Sequence, residues 1–139
     1  MGLHTVRVFA LVLAVTAAGC KGELDNLFPT TPDPVRVTET FSGTITINGA
    51  ATHAFFTSAT GTVTATLTSL GDNPPERIGL SLGTWSGAAC SIVLAQDRAV
   101  VMSVVSGTVS TLGGSLCVRI YDVGSLLAAT AYEVKVDHP

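Results

Sequence analysis

The stretch GTVTATLTSL, residues 61–70, decides the fold class because apolar and polar side chains alternate through it. Val63, Ala65 and Leu67 fall at every second position, and threonines occupy the positions between them. Successive side chains of a β-strand point to opposite faces, whereas an α-helix needs a period near 3.6 residues. The stretch is therefore predicted to be an antiparallel strand with one buried face and one solvated face.

The same period of two recurs from about residue 35 to the end of the chain. It predicts inward-facing side chains in three more segments: Phe41, Ile45 and Ile47; Ile78, Leu80 and Leu82; and Tyr132, Val134 and Val136. Four further strands are predicted in THAFFTSA, CSIVLAQ, AVVMSVVSG and SLCVRIYDV. Turn-forming residues separate the segments, notably Asn48-Gly49, Gly113-Gly114 and the proline-containing loop at residues 71–77. Eight short strands divided by such turns predict an all-β sandwich.

Residues 1–19 are predicted to be an export signal rather than part of the fold. Arg7 precedes a run of about eleven apolar or weakly polar residues, which is too short to cross a bilayer core of roughly 30 Å as a helix. The run ends in AAGC at residues 17–20, which resembles the lipobox of bacterial lipoproteins. That resemblance implies cleavage before Cys20 and acylation of its thiol. An ordinary signal peptidase could cut the same bond, and Cys20 would then be a free thiol.

Residues 20–34 are predicted to be a tether between the lipid and the domain. Three prolines within residues 29–34 favour extended polyproline geometry, because proline fixes φ and lacks a backbone donor. At roughly 3 Å per residue, about fourteen residues would hold the domain up to about 40 Å from a bilayer. By resemblance to other lipoproteins, Lys21 is compatible with export to an outer membrane. The sequence therefore predicts a domain, residues 35–139, anchored by lipid in the bacterial cell envelope, at the outer membrane or the periplasmic face.

The two remaining cysteines are predicted to form a disulfide. Once Cys20 carries lipid, Cys90 and Cys117 are an even pair in a protein bound for an oxidising compartment. The alternative is a pair of buried free thiols. Zinc ligation is not supported, because no Cys-x-x-Cys spacing occurs and the histidines of the mature chain, His53 and His138, are far apart in the sequence.

Charge and motif spacing argue against several classes of function. The formal net charge is −3 and only seven Lys and Arg residues are scattered through the chain, so no basic surface for nucleic acid is predicted. Ser86 lies in GTWSGAA, whose spacing differs from the Gly-x-Ser-x-Gly of a nucleophile elbow. A glycosidase pair of Glu76 and Glu133 is not supported, since Glu133 alternates with core residues on the exposed face of a strand. We therefore expect no enzymatic activity, no cofactor and no metal site.

Taken together, the strand segments resemble the bacterial pre-peptidase C-terminal domain. The resemblance lies in ETFSGTITINGAATHAFFTSATGTVTATLTSLG, IGLSLGTW and GSLCVRIYDVGSLLAATAYEVKVDHP, and it covers about residues 39–138. It implies a jelly-roll-like antiparallel β-sandwich of about eight strands that is secreted, non-catalytic and usually appended to an exported protease or other enzyme. The acidic D-x-D-L-x-L phrase of that family corresponds to RIGLSL here, at residues 77–82, so a calcium role tied to that phrase is not expected.

Aromatic side chains are the candidate ligand-binding residues. Sandwiches of this kind can recognise sugars through rings that stack on the apolar faces of the sugar. Trp85 and Tyr121 are the candidate platform, and Phe55 and Phe56 are further aromatic residues. The alternative for Trp85 is a capping role at the sandwich edge beside Cys90, and this is the arrangement that we expect.

The sequence therefore predicts a lipid-anchored, non-catalytic β-sandwich domain of the cell envelope that serves accessory binding or presentation. Its partners would be the membrane, through the N-terminal lipid, and an envelope protein or polysaccharide. Two alternatives remain, a carbohydrate-binding module and a structural or chaperone-like partner of an exported enzyme. Identification of a partner in intact envelopes would separate the three.

Overall fold

A computed structural model describes residues 32–139, which contain all of the strands given below. The predicted signal peptide at residues 1–19, Cys20 and most of the predicted tether lie outside the described residues. The chain from Asp33 to Pro139 forms one compact unit. Within residues 32–139, no helix has the length and hydropathy needed to cross a membrane.

Eight strands form two four-stranded antiparallel sheets. In chain order they are β1 (Val37–Ile45), β2 (Ala50–Thr57), β3 (Gly61–Leu70), β4 (Ile78–Trp85), β5 (Cys90–Ala99), β6 (Val104–Val109), β7 (Gly114–Tyr121) and β8 (Thr130–His138). Sheet A has the order β1-β8-β3-β6, and sheet B has the order β2-β7-β4-β5. The first strand thus lies beside the last, and β4–β5 is the one neighbouring pair among these eight strands that is consecutive in the sequence, as in a jelly roll. The prediction of an all-β, jelly-roll-like sandwich of about eight strands is confirmed.

Strand β3 has the alternating burial that its sequence predicts. Val63, Ala65 and Leu67 are at most 2% exposed and belong to the core, whereas the threonines between them lie on the other face. A register shift against β8 between Leu67 and Ser69 brings Leu70 into the core as well. Burial of each large aliphatic side chain stabilises the fold by about 1.5 to 3 kcal/mol relative to its exposure to water.

The closing strand β8 buries all three residues predicted to face inward: Tyr132, Val134 and Val136. The corresponding prediction for Ile47 is wrong, because β1 ends at Ile45 and Ile47 is 51% exposed in the turn that follows. In this turn Asn48 has a left-handed φ of 56°, and Gly49 donates its N–H to the Thr46 carbonyl at 2.8 Å. A tight turn therefore replaces the strand two residues earlier than the alternation predicts.

Strand β4 is buried on both of its faces, although the sequence predicts burial of one. The three predicted core residues are all buried: Ile78, Leu80 and Leu82. The residues between them, Gly79, Ser81 and Gly83, are buried too. They lie on the side of sheet B that faces away from the core, which we call the outer face. Groups from the neighbouring strands lie directly against Gly79 and Gly83 and cover this side of β4.

The disulfide between Cys90 and Cys117 joins β5 to β7 across β4, with 5.9 Å between the two Cα atoms. In the ladders, Cys117 pairs with Gly83 and Cys90 pairs with Trp85. A side chain at Gly83 would collide with the Ser91 carbonyl, so the glycine lets the start of β5 approach β4 closely. The predicted disulfide is confirmed.

Strand β5 forms an irregular edge of sheet B. Its pairing with β4 shifts register at two places, one of them at Val93, so the edge is bulged rather than straight. Ile92, Val93 and Leu94 are 43%, 69% and 37% exposed. The Leu94 side chain lies against Gly107 of β6, where a Cβ would be 2.7 Å from its Cδ1. The following strand is shorter than predicted, because residues 100–103 form a turn that precedes β6.

A histidine lies between the sheets in contact with two aromatic rings. His53 stacks on Phe41 with 4.9 Å between the ring centroids, and its Nε2 lies 2.6 Å from the Tyr132 hydroxyl. Gly43 makes room for that hydroxyl, because a Cβ there would lie 2.8 Å from it. Burial lowers the pKa of His53 below its ordinary value of 6.5. The fold therefore favours the neutral imidazole.

Removal of the disulfide by the double substitution Cys90→Ala and Cys117→Ala should lower the free energy of unfolding by about 3 to 4 kcal/mol. The bridge joins residues with a sequence separation of 27. Without the bridge the unfolded chain has more conformational entropy, which stabilises the unfolded state relative to the folded state. Urea unfolding of the wild-type protein and the double variant measures the difference. A loss smaller than about 1 kcal/mol would contradict this account of the bridge.

The free energy of unfolding should decrease as the pH falls below about 6.5, and His53 should cause part of the decrease. Unfolding restores the ordinary pKa of His53, so in this pH range the unfolded chain binds a proton that the folded chain does not bind. The free energy of unfolding therefore rises with pH between the folded and the unfolded pKa of His53. Above the unfolded pKa, protonation of His53 no longer lowers the stability.

Urea unfolding above and below this range measures the effect. His53→Gln should reduce the difference in stability between the two pH values. His138→Gln, the matched change at the other histidine of the domain, should leave the contribution of His53 in place. The same pH dependence in His53→Gln and in the wild-type protein would refute the assignment.

Candidate functional site

The outer face of sheet B carries both residues of the predicted ligand platform. In the ladder between β4 and β7, Gly79 pairs with Tyr121 and Ser81 pairs with Arg119. Because side chains alternate along a strand, Tyr121 and Arg119 both project from the outer face. Ser81 is fully buried, and its hydroxyl donates a hydrogen bond to the Arg119 carbonyl at 3.3 Å.

Tyr121 crosses β4 and contacts β5. A Cβ at Gly79 would overlap three carbon atoms of the Tyr121 ring, so only glycine fits where the ring crosses β4. The phenol donates a hydrogen bond to Asp97 on β5. Desolvation, this hydrogen bond and the negative charge of Asp97 together raise the pKa of Tyr121 to about 12. The ring is therefore held in one position on the sheet as a neutral phenol.

Charged side chains surround this ring and form a surface cleft of about 410 Å³, which we call the Tyr121 cleft. The lining consists of Arg77, Asp97, Arg98, Tyr121, Asp122 and Val123. The guanidinium carbon of Arg119 lies 6.0 Å from the centroid of the Tyr121 ring, at the outer limit of a cation–π contact. The volume of about 410 Å³ lies within the range of about 300 to 1,000 Å³ that is typical of small-ligand sites.

Asp122 ties the rim of the Tyr121 cleft to two loops. Its Oδ1 accepts hydrogen bonds from the N–H groups of Gly124, Ser125 and Leu126 at 2.8, 2.9 and 3.1 Å. Its Oδ2 accepts a hydrogen bond from the Asn48 N–H at 2.8 Å. These bonds, the one from Asn48 foremost, lower the pKa of Asp122. Because backbone donors occupy both carboxylate oxygens, Asp122 fixes the shape of the rim.

Trp85 lies on the same outer face but at the other end of β4. It is partly buried and pairs with Cys90, so it lies beside the disulfide, and its capping role there stays a prediction. Trp85 is six positions from Gly79 along β4, which corresponds to roughly 20 Å at 3.3 Å per residue. Trp85 and Tyr121 are therefore too far apart to stack on one sugar ring, and they do not form a single platform.

Two other cavities within residues 32–139 lack this combination of an aromatic ring and charged groups. An apolar groove of about 530 Å³ opens between the edge strands β5 and β6, and its lining includes Val93, Leu94 and Val109. A cleft of about 850 Å³ lies between the loops at residues 71–77 and 124–131. Of these three cavities, the Tyr121 cleft is the one that combines an aromatic ring with charged groups.

The other aromatic candidates divide between the core and the surface. Phe55 is 6% exposed and belongs to the core, whereas Phe56 is 59% exposed on β2. The Phe56 ring lies near Gly113, where a Cβ would be 3.5 Å from it. Phe56 is therefore an exposed aromatic side chain outside the Tyr121 cleft.

The residues considered for catalysis or metal binding are engaged in local contacts. The Ser86 hydroxyl donates to the Ala89 carbonyl at 3.2 Å and accepts from the Ala89 N–H at 3.1 Å, all within one turn. His53 contacts Tyr132 between the two sheets. Within residues 32–139, no group of three or more His, Cys, Asp or Glu side chains is arranged to hold a metal ion.

Comparison with known proteins identifies a similar fold. The chain matches no protein-family model and no curated protein. It is similar to a solved structure described as the crystal structure of Yersinia pseudotuberculosis-derived mitogen (YPM). The TM-score is 0.55 at 16% sequence identity, and the match covers 76% of this chain and 88% of that chain. At this identity the likeness shows a shared β-fold and carries no information about activity.

The sequence identified Tyr121 as a candidate but did not identify the charged residues around it: Arg77, Asp97, Arg98 and Arg119. These residues belong to β5, β7 and the loop before β4, which become neighbours only when sheet B forms. One sequence signal was present at Gly79, because a glycine inside a strand marks a place where another group approaches the backbone closely.

The pKa of Tyr121 should be near 12 and should fall in the variant Asp97→Asn. This variant removes a negative charge and weakens the hydrogen bond that stabilises the protonated phenol. An alkaline titration followed by NMR of the two tyrosine rings measures the value, and Tyr121→Phe assigns the signal. Tyr132 serves as the internal control. An unchanged pKa of Tyr121 in Asp97→Asn would show that Asp97 is not its partner.

Proposed function

We propose that the chain is a non-catalytic, lipid-anchored domain of the bacterial cell envelope that binds another envelope component through the outer face of sheet B. The observation that carries this proposal is the Tyr121 cleft, where a ring held by Gly79 and Asp97 borders several guanidinium groups. A side chain that is already fixed loses little conformational freedom when a ligand binds. Rigid aromatic residues with polar neighbours are characteristic of ligand sites and of the central residues of protein interfaces.

The proposed anchor is Cys20. The lipobox-like sequence at residues 17–20 and the prolines of residues 29–34 support attachment through acyl chains and an extended tether. One acyl chain alone gives marginal membrane binding, so stable attachment takes more than one chain or a second signal. Acylation of a lipoprotein cysteine, as the lipobox resemblance implies, would meet that requirement.

The position of the Tyr121 cleft supports a presentation role. The chain enters the domain at Val37, where Arg36 donates a hydrogen bond to the Thr62 carbonyl at 3.3 Å. Odd-numbered strands run away from this entry end and even-numbered strands return to it. Tyr121 at the end of β7 and Gly79 near the beginning of β4 therefore lie at the far end. A ligand could reach the cleft without approaching the point of attachment.

A carbohydrate-binding module is the second candidate function, and the Tyr121 ring favours it. Aromatic rings stack on the apolar C–H faces of sugars. The Tyr121 ring can do so while its hydroxyl stays hydrogen-bonded to Asp97. The resemblance to the pre-peptidase C-terminal domain supports the non-catalytic part of the proposal, since that family is appended to exported enzymes.

Cross-linking in intact envelopes tests anchoring and binding in one experiment. The wild-type protein should fractionate with membranes and give one dominant cross-linked partner. Cys20→Ser should leave the membrane fraction, because each buried CH₂ of an acyl chain contributes about 0.8 kcal/mol to anchoring. Tyr121→Ala should stay with the membranes but lose the partner. Phe56→Ala, which removes an exposed aromatic ring outside the cleft, should keep it.

Two results would contradict the proposal. Unchanged fractionation of Cys20→Ser would rule out the lipid anchor. Equal capture of the partner by Tyr121→Ala and by the wild-type protein would rule out the Tyr121 cleft as the binding surface. If the partner retained in that case is an exported enzyme, the structural or chaperone-like alternative is favoured.

A further inference from the structure

The Tyr121 cleft gathers most of the described cationic side chains of a chain that is acidic overall, and two aspartates line the cleft with them. The formal net charge of the chain is −3. Residues 32–139 contain five Lys and Arg side chains: Arg36, Arg77, Arg98, Arg119 and Lys135. Arg77 and Arg98 line the cleft, and Arg119 lies beside its ring. Three of the five cationic side chains are therefore gathered around one tyrosine.

These three guanidinium groups have no carboxylate partner within the described part of the chain. The ion pairs found in residues 32–139 join Lys135 to Asp137 at 3.4 Å and His138 to Glu39 at 2.9 Å. The Nε atom of Arg119 is buried and has no hydrogen-bond partner among these residues. Buried donors are normally satisfied, so this Nε is an exception, and it lies beneath the surface rather than in the lining of the cleft.

The two aspartates of the cleft are already engaged with other groups. Asp97 accepts the hydrogen bond from the Tyr121 phenol. Asp122 accepts four backbone N–H bonds, which occupy both of its oxygens. Arg77 and Arg98 are exposed, so their N–H donors are accessible to solvent or to a bound ligand, and the two aspartates offset their charge.

We infer that the Tyr121 cleft binds an acidic sugar unit of an anionic polysaccharide. The C–H face of the pyranose would lie against the Tyr121 ring, and its carboxylate would pair with the guanidinium groups of Arg77 and Arg98. This inference rests on the proposed binding function and specifies its ligand. It accounts for the ring and the arginines together, because a neutral sugar needs no arginine and a simple anion needs no ring.

The chemistry of the two groups matches the two parts of a uronic acid. A tyrosine ring offers a flat surface to the apolar side of the sugar. A guanidinium group presents a planar fork of N–H donors that fits the two oxygens of a carboxylate, and such charged hydrogen bonds are about twice as strong as neutral ones. A cleft of about 410 Å³ is large enough for a small saccharide.

Titration calorimetry of the detergent-extracted full chain with trigalacturonate tests the inference. The matched ligand is its methyl ester, which keeps the sugar rings and removes the carboxylate charge. Trigalacturonate should bind at least about tenfold more tightly than the ester, because its carboxylates form charge-assisted hydrogen bonds with the guanidinium groups and the ester does not. A tenfold difference corresponds to about 1.4 kcal/mol. Inorganic phosphate, an anion without a sugar face, should compete poorly.

Single substitutions separate the contribution of the arginine charges to affinity from that of the Tyr121 ring. Arg77→Gln and Arg98→Gln should each weaken trigalacturonate binding by about tenfold and leave binding of the ester nearly unchanged. Arg36→Gln, which removes one positive charge at the entry end of the domain, is the matched control and should bind like the wild-type protein. Tyr121→Leu should weaken binding of both ligands. Unfolding midpoints confirm that each variant is folded.

Four results would overturn the acidic-sugar assignment. They are no measurable binding of trigalacturonate, equal affinity for its methyl ester, effective competition by phosphate, and equal effects of Arg98→Gln and Arg36→Gln. Each of these leaves the proposed binding function intact if Tyr121→Ala still loses the envelope partner. Retention of that partner by Tyr121→Ala defeats the proposed function itself, so the two failures are distinguishable.

Discussion

From Gly79 to Gly83 the outer side of β4 carries no side chain larger than that of serine, and the neighbouring strands of sheet B pack onto this bare surface. Gly79 accommodates the Tyr121 ring, and Gly83 accommodates the start of β5 and lies beside the disulfide. Ser81, between them, is small enough to be buried with a single hydrogen bond to β7. A larger residue at either glycine would displace a ring or a backbone segment, because packed interiors leave little free space. The small residues of β4 thus allow both the position of the Tyr121 ring and the disulfide that joins β5 to β7.

The alternation of residue types predicts much of this fold because it reports which side of a strand is buried. Strand β3 follows the rule closely, since Val63, Ala65 and Leu67 pack in the core. The rule fails at Ile47, where hydrogen bonding of the Asn48 turn ends the strand despite a favourable pattern. It is also incomplete for β4, because alternation cannot tell a solvated outer face from one covered by a neighbouring strand. The small residues Gly79, Ser81 and Gly83 indicate that other groups approach this face. Which groups these are depends on which strands become neighbours.

The candidate site was less accessible to sequence reasoning than the fold for the same reason. Tyr121 stands out as a rare aromatic residue, and the pairing of Cys90 with Cys117 follows from counting cysteines in a chain that its sequence predicts to be exported. The cleft itself needs Asp97 from the edge strand, Arg77 from a loop and the glycine that lets the ring cross β4. These relations arise from the jelly-roll strand order, in which β7 lies beside β4 although two strands separate them in the sequence. Local patterns contain little information about such contacts.

The two register shifts in β5 have a consequence for the behaviour of the protein in concentrated solution. The edge has no charged side chain from Ser91 to Gln96, and its apolar residues are exposed, which is a combination that favours pairing with another chain. The bulges interrupt the regular spacing of backbone donors and acceptors, so a foreign strand could align with only a few residues at a time. Irregular geometry therefore takes the place of charge in protecting this edge from fibrillar growth. A sandwich of this design can keep an apolar edge and still resist polymerisation.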